Sequence, residues 1–184
     1  AILVGDGLQA LAFEVLSQRE THHDPEIRLN LVNSLSIASG ILGMVGGQAL
    51  DIHAEKSKAS LNLTSIKKMQ SLKTGALFIW ATEVGPRLSR NDIRPFTNFA
   101  RYLGLAFQIQ DDILDITGKA EETGKALRKD VKAGKATFVS ILGLSGAKKE
   151  ARLLIEQANE QIEKYGEKAE MLRALAKFSI ERKF

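Results

Sequence analysis

The sequence contains no cysteine, which excludes disulfide bonds and thiolate chemistry and fits a protein of the reducing cytoplasm. Proline is also scarce, with 3 among 184 residues, and runs of alternating apolar residues that would form strands are few. Leucine, alanine, lysine and isoleucine are prominent instead, and most of these favour helices. The sequence therefore predicts one all-helical domain over residues 1–184.

Charge of one sign is not in large excess, because the formal net charge at pH 7 is +4. The basic residues are concentrated in one segment that lacks interleaved aromatic residues, so we expect no nucleic-acid partner. The apolar N-terminal stretch has no basic leader and includes Asp6 and Gln9, which argues against a signal peptide. We also expect no membrane span.

Apolar periodicity and helix-boundary signals divide the chain into helices joined by loops. Residues 1–17 are apolar almost all round, which predicts a buried helix. The other expected elements are a helix from Glu26 towards Leu50, a charged loop over 53–61, a helix from Thr64 to Val84 that stops at Gly85 and Pro86, a central helix from Ile93 to Ile116, a short helix from Thr137 to Leu142, a turn from Gly143 to Gly146, and two amphipathic helices split near Gly166.

The central helix contains the most unusual stretch of the chain, FQIQDDILD. On a helix its polar residues fall within one sector roughly 100° wide, between two apolar faces: Gln108, Asp111, Asp112 and Asp115. Carboxylates this close repel one another in a poorly hydrated cleft unless a cation neutralises them. A hard divalent ion with oxygen ligands, Mg²⁺ above all, does this and keeps positions free for substrate phosphates. The alternative is a solvated helix end.

Lys73 lies in the apolar stripe of the preceding helix, where an unpaired ammonium group is costly. Its side chain either snorkels to water or points at an anionic ligand. The helix before it is unusually rich in glycine, which predicts close approach of another backbone or of a ligand: Gly40, Gly43, Gly46 and Gly47. Gln48 and Asp51 follow as a polar pair on one face of that helix.

The segment over 117–136 lacks apolar periodicity and is rich in lysine and glycine. It is either a solvated loop or a basic lid. Its position directly after Asp111, Asp112 and Asp115, which we call the acid strip, favours a lid that closes over phosphates. Arg182 and Lys183 either are tail charges or reach an anionic site. The acid strip, the inward lysine and the lid together predict a diphosphate site. The apolar walls predict a hydrocarbon substrate, with Thr74 and Gln108 stabilising a carbocation.

These motifs resemble those of the trans-isoprenyl diphosphate synthases, and of the bacterial farnesyl diphosphate synthases among them. The resemblance spans the chain and rests on GD at Gly5, GGQALD at Gly46, KTGAL at Lys73, GLAFQIQDDILD at Gly104, TGK at Thr123 and GKAT at Gly134. It implies an antiparallel all-helical bundle around a deep central cavity, and a homodimer. The implied activity is the Mg²⁺-dependent condensation of geranyl or dimethylallyl diphosphate with isopentenyl diphosphate to farnesyl diphosphate.

Carried over by position, the resemblance assigns roles to individual residues. The implied Mg²⁺ ligands are Asp111, Asp112 and Asp115, and the implied support of a metal-bound water is Asp130. The implied diphosphate-binding residues are Lys73, Lys125, Lys135, Gln48 and Asp51. The implied catalytic set is Lys73, Thr74 and Gln108. Lys73 binds the leaving diphosphate, and Thr74 and Gln108 lie beside the carbocation that forms when it leaves.

The family's first aspartate-rich motif, the arginines after it and the N-terminal residues that bind isopentenyl diphosphate have no counterpart in this sequence. We therefore expect a C-terminal part of such an enzyme that is inactive by itself. The alternatives are a geranylgeranyl diphosphate synthase, a non-catalytic or regulatory subunit of a heteromeric synthase, and a class I terpene cyclase. The KT motif at Lys73 and the GQALD motif at Gly47 argue against the cyclase.

Overall fold

The structure, a computed structural model, describes residues 1–57, 61–118 and 137–182. Every regular element in these ranges is helical, which confirms the all-helical prediction. In chain order they are α1 (Ile2–Ser17), α2 (Pro25–Ser39), α3 (Met44–Ser57), α4 (Leu63–Gln70), a π-helical turn (Ser71–Gly75), α5 (Ala76–Leu88), α6 (Arg94–Thr117), α7 (Phe138–Gln161), a 3₁₀ helix (Glu163–Ala169) and α8 (Glu170–Glu181). The π-helical turn joins α4 and α5 into one continuous helix.

The main hydrophobic core lies between α6 and α7. The side chains that α6 buries there are Phe99, Leu103, Ala106, Ile109 and Ile113. They belong to one cluster with Phe138, Ala147, Ala151, Leu154 and Ala158 of α7. Since burial of a large apolar side chain contributes roughly 1.5–3 kcal/mol, the contact between these two helices is a major source of the stability of the fold. The prediction that the central helix is buried in a bundle is therefore confirmed.

Asp24 caps the N-terminus of α2, as the sequence predicts. Its carboxylate accepts a hydrogen bond from the backbone N–H of Glu26 at 2.9 Å, and Pro25 takes the first helical position. That hydrogen bond lowers the pKa of the Asp24 carboxyl, and the nearby Arg90 guanidinium lowers it further.

The prediction of a single helix from Glu26 towards Leu50 is wrong, because the chain turns between α2 and α3. Gly40 leaves the helix with an extended backbone, at φ −81° and ψ −161°. At Gly43 a Cβ atom would lie 2.0 Å from the carbonyl oxygen of Ala38, so the tight turn requires glycine. α3 then continues into the loop predicted over 53–61.

Among the described residues, the stretch Pro25–Lys56 is long and apolar enough to cross a membrane by length and composition alone. In the structure it comprises α2, with 15 residues, and most of α3, which has 14 residues. A helix needs about 20 residues to span the hydrocarbon core of a bilayer. Neither helix reaches that length.

The helix predicted to stop at Gly85 and Pro86 continues to Leu88. A proline removes one backbone donor, and only one intrahelical hydrogen bond is lost because Pro86 lies in the last turn. The amide and the hydroxyl of Ser89 both donate to the Gly85 carbonyl, at 3.1 Å and 3.0 Å, and satisfy it at the helix end.

α1 lies close to its predicted bounds but lacks its predicted burial, since none of its residues is buried. Six of its large apolar side chains are 46% to 86% exposed, while Phe13 and Leu16 are partly buried. The six are Ile2, Leu3, Val4, Leu8, Leu11 and Val15. α1 packs on α2, where Nε2 of Gln9 donates to Oγ of Ser39 at 3.1 Å. A helix that is apolar all round is expected to be covered on several sides, but the described residues cover α1 incompletely.

Two glycines interrupt the C-terminal helices, because Gly143 and Gly166 have positive φ angles of 68° and 53°. The turn predicted from Gly143 to Gly146 is confined to Gly143, and α7 continues beyond it. The split predicted near Gly166 is confirmed, since this residue lies in the 3₁₀ helix between α7 and α8.

The backbone of α3 lies against the π-helical turn. A Cβ atom at Gly47 would lie 2.2 Å from the backbone nitrogen of Lys73 and 2.5 Å from its Cα atom. The prediction that the glycines allow close backbone approach is confirmed at this position. The contact brings the polar residues at the end of α3 next to Lys73.

Gly47→Ala should lower the free energy of unfolding by about 1–3 kcal/mol, because α3 must move away from the π-helical turn. Gly85→Ala is the matched control, since a Cβ atom there meets nothing within 4 Å and alanine favours a helix by up to about 1 kcal/mol. Urea denaturation followed by circular dichroism measures both variants. Wild-type stability in Gly47→Ala would contradict this close contact.

Candidate active site

The residues Ser71–Gly75 form a π-helical turn within the helix that joins α4 and α5. Such turns are rare and frequently lie at functional sites, because the extra residue changes the register of the side chains. This turn contains Lys73 and Thr74. The sequence signal for it is limited to Gly75, which is buried and lies so close to α6 that a Cβ atom at Gly104 would be 3.3 Å from its Cα atom.

Lys73 has an anionic partner within the protein. Its Nζ atom lies 2.7 Å from Oδ2 of Asp51, and the two side chains are 28% and 15% exposed. The sequence left open whether this lysine reaches water or faces an anion, and in the structure it is paired with α3. The ammonium group keeps enough exposure to meet a ligand. Gln48 lies exposed on the preceding turn of α3.

A chain of hydrogen bonds links the π-helical turn to α6 and α7. Oγ1 of Thr74 donates to Oε1 of Gln108 at 3.3 Å, and Nε2 of Gln108 donates to Oδ1 of Asp112 at 3.2 Å. The backbone N–H of Phe138, the first residue of α7, donates to Oδ2 of Asp112 at 2.8 Å. The structure thus brings Thr74 and Gln108, two members of the predicted catalytic set, into contact.

Asp112 is a buried anionic cap of α7. Only 6% of this residue is exposed, and both of its oxygens accept hydrogen bonds from the protein. A carboxylate at a helix N-terminus is stabilised by the unsatisfied N–H groups and by the helix dipole. Thr137 completes the cap, since its hydroxyl oxygen accepts from the backbone N–H of Ser140 at 3.1 Å. Asp112 therefore has a clear role in the fold.

Asp111 and Asp115 lie one turn apart on the same side of α6. Oδ1 of Asp111 accepts a hydrogen bond from Nη2 of Arg182, which follows α8, and the two side chains are 43% and 12% exposed. The Arg182 guanidinium also stacks over the ring of Phe107, 4.1 Å from its centroid. Of the two possibilities left open by the sequence, Arg182 thus reaches an anionic site.

Mg²⁺ is the cofactor expected for this acid strip. Within the described ranges, no group of three or more His, Cys, Asp or Glu is arranged to hold a metal ion. Asp111 and Asp115 fit the ion chemically, because they offer hard carboxylate oxygens and Asp111 already pairs with a cation. Mg²⁺ usually keeps waters and substrate phosphates as its remaining ligands, so one or two carboxylates are enough.

An apolar cavity of about 570 Å³ adjoins the helix that contains the π-helical turn. Its lining includes Leu77 and Trp80 of α5, Met44 of α3, and apolar side chains of α1 and α2. Leu77 follows Thr74 by about one turn, so the cavity begins close to the polar groups of the site. A cavity of this size holds a small ligand, and its apolar lining suits a hydrocarbon.

Lys125, Asp130 and Lys135, which the family resemblance implies in the site, lie outside the described residues. Most of the lid predicted over 117–136 lies outside them as well. Within the described ranges the expected site residues form two linked groups. Lys73 contacts Asp51, and Thr74 contacts Gln108, which leads to the carboxylates of α6.

The sequence model of the polyprenyl synthetase family matches residues 1–175. The chain belongs to the polyprenyl synthetase family. This match covers all the described motifs of the site and confirms the resemblance found in the sequence.

Individual relatives agree with the family assignment. The farnesyl diphosphate synthase of Escherichia coli is 40% identical over 194 residues, which cover 99% of this chain and 63% of that protein. The crystal structure of an FPP/GFPP synthase from Zymomonas mobilis has 43% identity and a TM-score of 0.82, and the match covers 95% of this chain and 59% of the other.

A geranyltransferase of Helicobacter pylori, crystallised with magnesium and isoprenyl diphosphate, has 30% identity and a TM-score of 0.81. That match covers 97% of this chain and 58% of the other. The chain spans about three fifths of the length of the curated relatives it matches.

Asp112→Ala should lower the free energy of unfolding by about 1–2 kcal/mol, because α7 loses its anionic cap. Asp112→Asn is the matched variant, since it keeps an acceptor oxygen for the Phe138 N–H and should retain most of the stability. Urea denaturation compares the two. An equal loss in both variants, or no loss in either, would contradict the capping role.

Proposed function

We propose that this chain is the part of a short-chain prenyl diphosphate synthase that binds the allylic diphosphate and promotes its ionisation. In the whole reaction geranyl diphosphate joins one isopentenyl diphosphate, and farnesyl diphosphate and free diphosphate result. Dimethylallyl diphosphate reaches the same product through two successive condensations, the first of which gives geranyl diphosphate. One observation carries the proposal: the π-helical turn that contains Lys73 and Thr74 is hydrogen-bonded to the polar face of α6 and is followed, at Leu77, by an apolar cavity. A substrate with a diphosphate head and a hydrocarbon tail matches both sides.

The diphosphate binds at Lys73, with Gln48 and Asp51 beside it. The Asp51 carboxylate holds the Lys73 ammonium at 2.7 Å and so fixes its position before the substrate arrives. A cation that is already in place stabilises the charge that develops on the leaving diphosphate without further reorganisation. In this proposal Lys125 and Lys135 bind the same diphosphate.

Ionisation breaks the bond between the first carbon of the allylic chain and the diphosphate oxygen, and the electron pair leaves with the diphosphate. The oxygens of Thr74 and Gln108 stabilise the allylic cation, and their hydrogen bond at 3.3 Å fixes both side chains. The apolar side chains that line the cavity accommodate the hydrocarbon tail of the substrate. The double bond of isopentenyl diphosphate then attacks the cation, and the released diphosphate takes the proton.

Asp111 and Asp115 are the residues of α6 that would hold Mg²⁺, and Asp130 would support a bound water. Bound Mg²⁺ supplies Lewis-acid stabilisation of the diphosphate charge. Asp112 was predicted as a third ligand, but both of its oxygens are bonded within the protein. In this proposal it acts by orienting the strip. The Helicobacter pylori relative, which was crystallised with magnesium and isoprenyl diphosphate, supports Mg²⁺ and an isoprenyl diphosphate as the molecules that bind.

We further propose that the chain is one domain, that residues 117–136 form a basic lid over the phosphates, and that the protein is a cytoplasmic homodimer. The absence of cysteine supports a reducing compartment. The exposed apolar side chains of α1 support a packing partner, because contiguous apolar surface commonly marks an interface.

Incubation of the purified protein with isopentenyl and geranyl diphosphates in the presence of Mg²⁺ tests the proposed reaction. Farnesyl diphosphate as the product supports it. A product one isoprene unit longer would indicate the geranylgeranyl alternative, and cyclic hydrocarbon from geranyl diphosphate alone would indicate a cyclase. Binding of geranyl diphosphate without turnover is the result expected of these 184 residues alone. The same result in the whole protein would indicate a non-catalytic subunit.

Lys73→Ala should weaken the binding of geranyl diphosphate about 10- to 100-fold in Mg²⁺ buffer, because charge-assisted hydrogen bonds to the diphosphate are lost. Isothermal titration calorimetry measures the dissociation constants, and circular dichroism checks that the variant folds.

Lys68→Ala is the control for this experiment, since it removes the same charge from an exposed position on α4. Its dissociation constant should stay within about twofold of the wild-type value, because an exposed charge is screened by salt. Equal weakening by both variants would mean that general positive charge, and not Lys73, binds the diphosphate.

A further inference from the structure

Arg182 supplies a positive charge to the acid strip of α6 through its ion pair with Asp111. Its guanidinium donates to Oδ1 of Asp111, stacks on the ring of Phe107, and is 12% exposed. Stacking on an aromatic face is a favourable position for a guanidinium. The guanidinium is therefore held by two contacts and is mostly buried, unlike that of a loose surface ion pair.

The backbone of Arg182 is held separately from its guanidinium. Nε2 of Gln110 donates to the Arg182 carbonyl oxygen at 3.1 Å, and α8, which ends at the preceding residue, is anchored by the buried Ala176 and Ser179. Nε of Arg182 also donates to the Ser179 carbonyl oxygen at 3.1 Å. Displacement from Asp111 therefore requires a side-chain rotation that breaks this bond too, while the end of α8 stays in place.

A guanidinium and a divalent cation compete for the same carboxylate oxygen. Neighbouring carboxylates repel one another, and a cation is needed to keep them ionised when they are shielded from water. Arg182 supplies that positive charge to Asp111 in the structure described here. A metal ion that takes Oδ1 therefore displaces the guanidinium from it.

We propose that Arg182 is an internal counter-ion of Asp111, which positions this carboxylate in the metal-free protein and is displaced when a divalent cation binds. This inference rests on the proposed function, in which Asp111 is a metal ligand. Displacement of Arg182 costs free energy whenever a metal ion binds. The affinity of the site for the metal is therefore set partly by a residue that never touches the ion.

Titration with Mn²⁺ alone, followed by electron paramagnetic resonance, tests this competition. Arg182→Gln should bind Mn²⁺ about fivefold more tightly than the wild-type chain, the change expected when a partly exposed ion pair no longer competes. Arg152→Gln is the control, because Arg152 is exposed and lines the same cavity of about 390 Å³ as Arg182. It should change the affinity by less than about twofold.

The outcomes separate this inference from the proposed function. Asp111→Asn should weaken Mn²⁺ binding strongly; if it does not, the metal role of Asp111 itself is wrong. If Asp111→Asn weakens binding but Arg182→Gln binds no more tightly than the wild type, only the counter-ion role is wrong. Equal tightening in Arg182→Gln and Arg152→Gln would also overturn it, because general electrostatics would then account for the effect.

The wild-type chain offers a test that needs no stable variant. The test uses nuclear magnetic resonance with diamagnetic Mg²⁺, because paramagnetic Mn²⁺ would broaden the signals near the site. In the metal-free chain the Phe107 ring should shift the guanidinium resonances of Arg182. Addition of Mg²⁺ should move the side-chain Nε–Hε signal of Arg182 towards the position of an exposed arginine. A signal that stays unchanged while Mg²⁺ binds would overturn the proposal.

Discussion

The hydrogen bond between the Asp112 carboxylate and the backbone N–H of Phe138 is the contact on which the candidate site depends. It fastens the first residue of α7 to the C-terminal part of α6, at one end of the apolar contact between these helices. The second oxygen of Asp112 holds Gln108, which in turn holds Thr74 on the π-helical turn. One buried carboxylate thus joins the core of the fold to the polar residues of the candidate site.

The position of Lys73 depends on backbone packing rather than on side-chain packing. Gly47 allows the backbone of α3 to lie against Lys73, and Gly75 lies against Gly104 of α6. The π-helical turn is held between these two contacts. As a result, a lysine that the apolar stripe would otherwise bury emerges beside Asp51 with part of its side chain exposed.

Periodicity predicts the parts of this structure where one rule decides the outcome. The bounds of α6, the cap at Asp24 and the break at Gly166 follow from apolar spacing, capping chemistry and glycine conformation. Prediction fails where the position within an element, or the tertiary context, overrides a rule. Pro86 lies in the last turn of α5, where a proline removes only one intrahelical hydrogen bond, so the helix continues past it.

The burial predicted for α1 also fails, because apolar composition cannot tell which neighbours are present. The site shows the same limit. The sequence identified Lys73, Thr74, Gln108 and the carboxylates by type and spacing, but not the π-helical turn, which depends on contacts with two other helices. It also left the partner of Arg182 open, because the ion pair with Asp111 joins residues that are 71 positions apart.

A crystal structure of the chain with Mn²⁺ and a thiolo analogue of geranyl diphosphate tests the central claim most directly. The account predicts a manganese anomalous peak on Asp111 and the diphosphate within hydrogen-bonding distance of Lys73 Nζ. A diphosphate bound elsewhere, with Lys73 still paired only to Asp51, would contradict it.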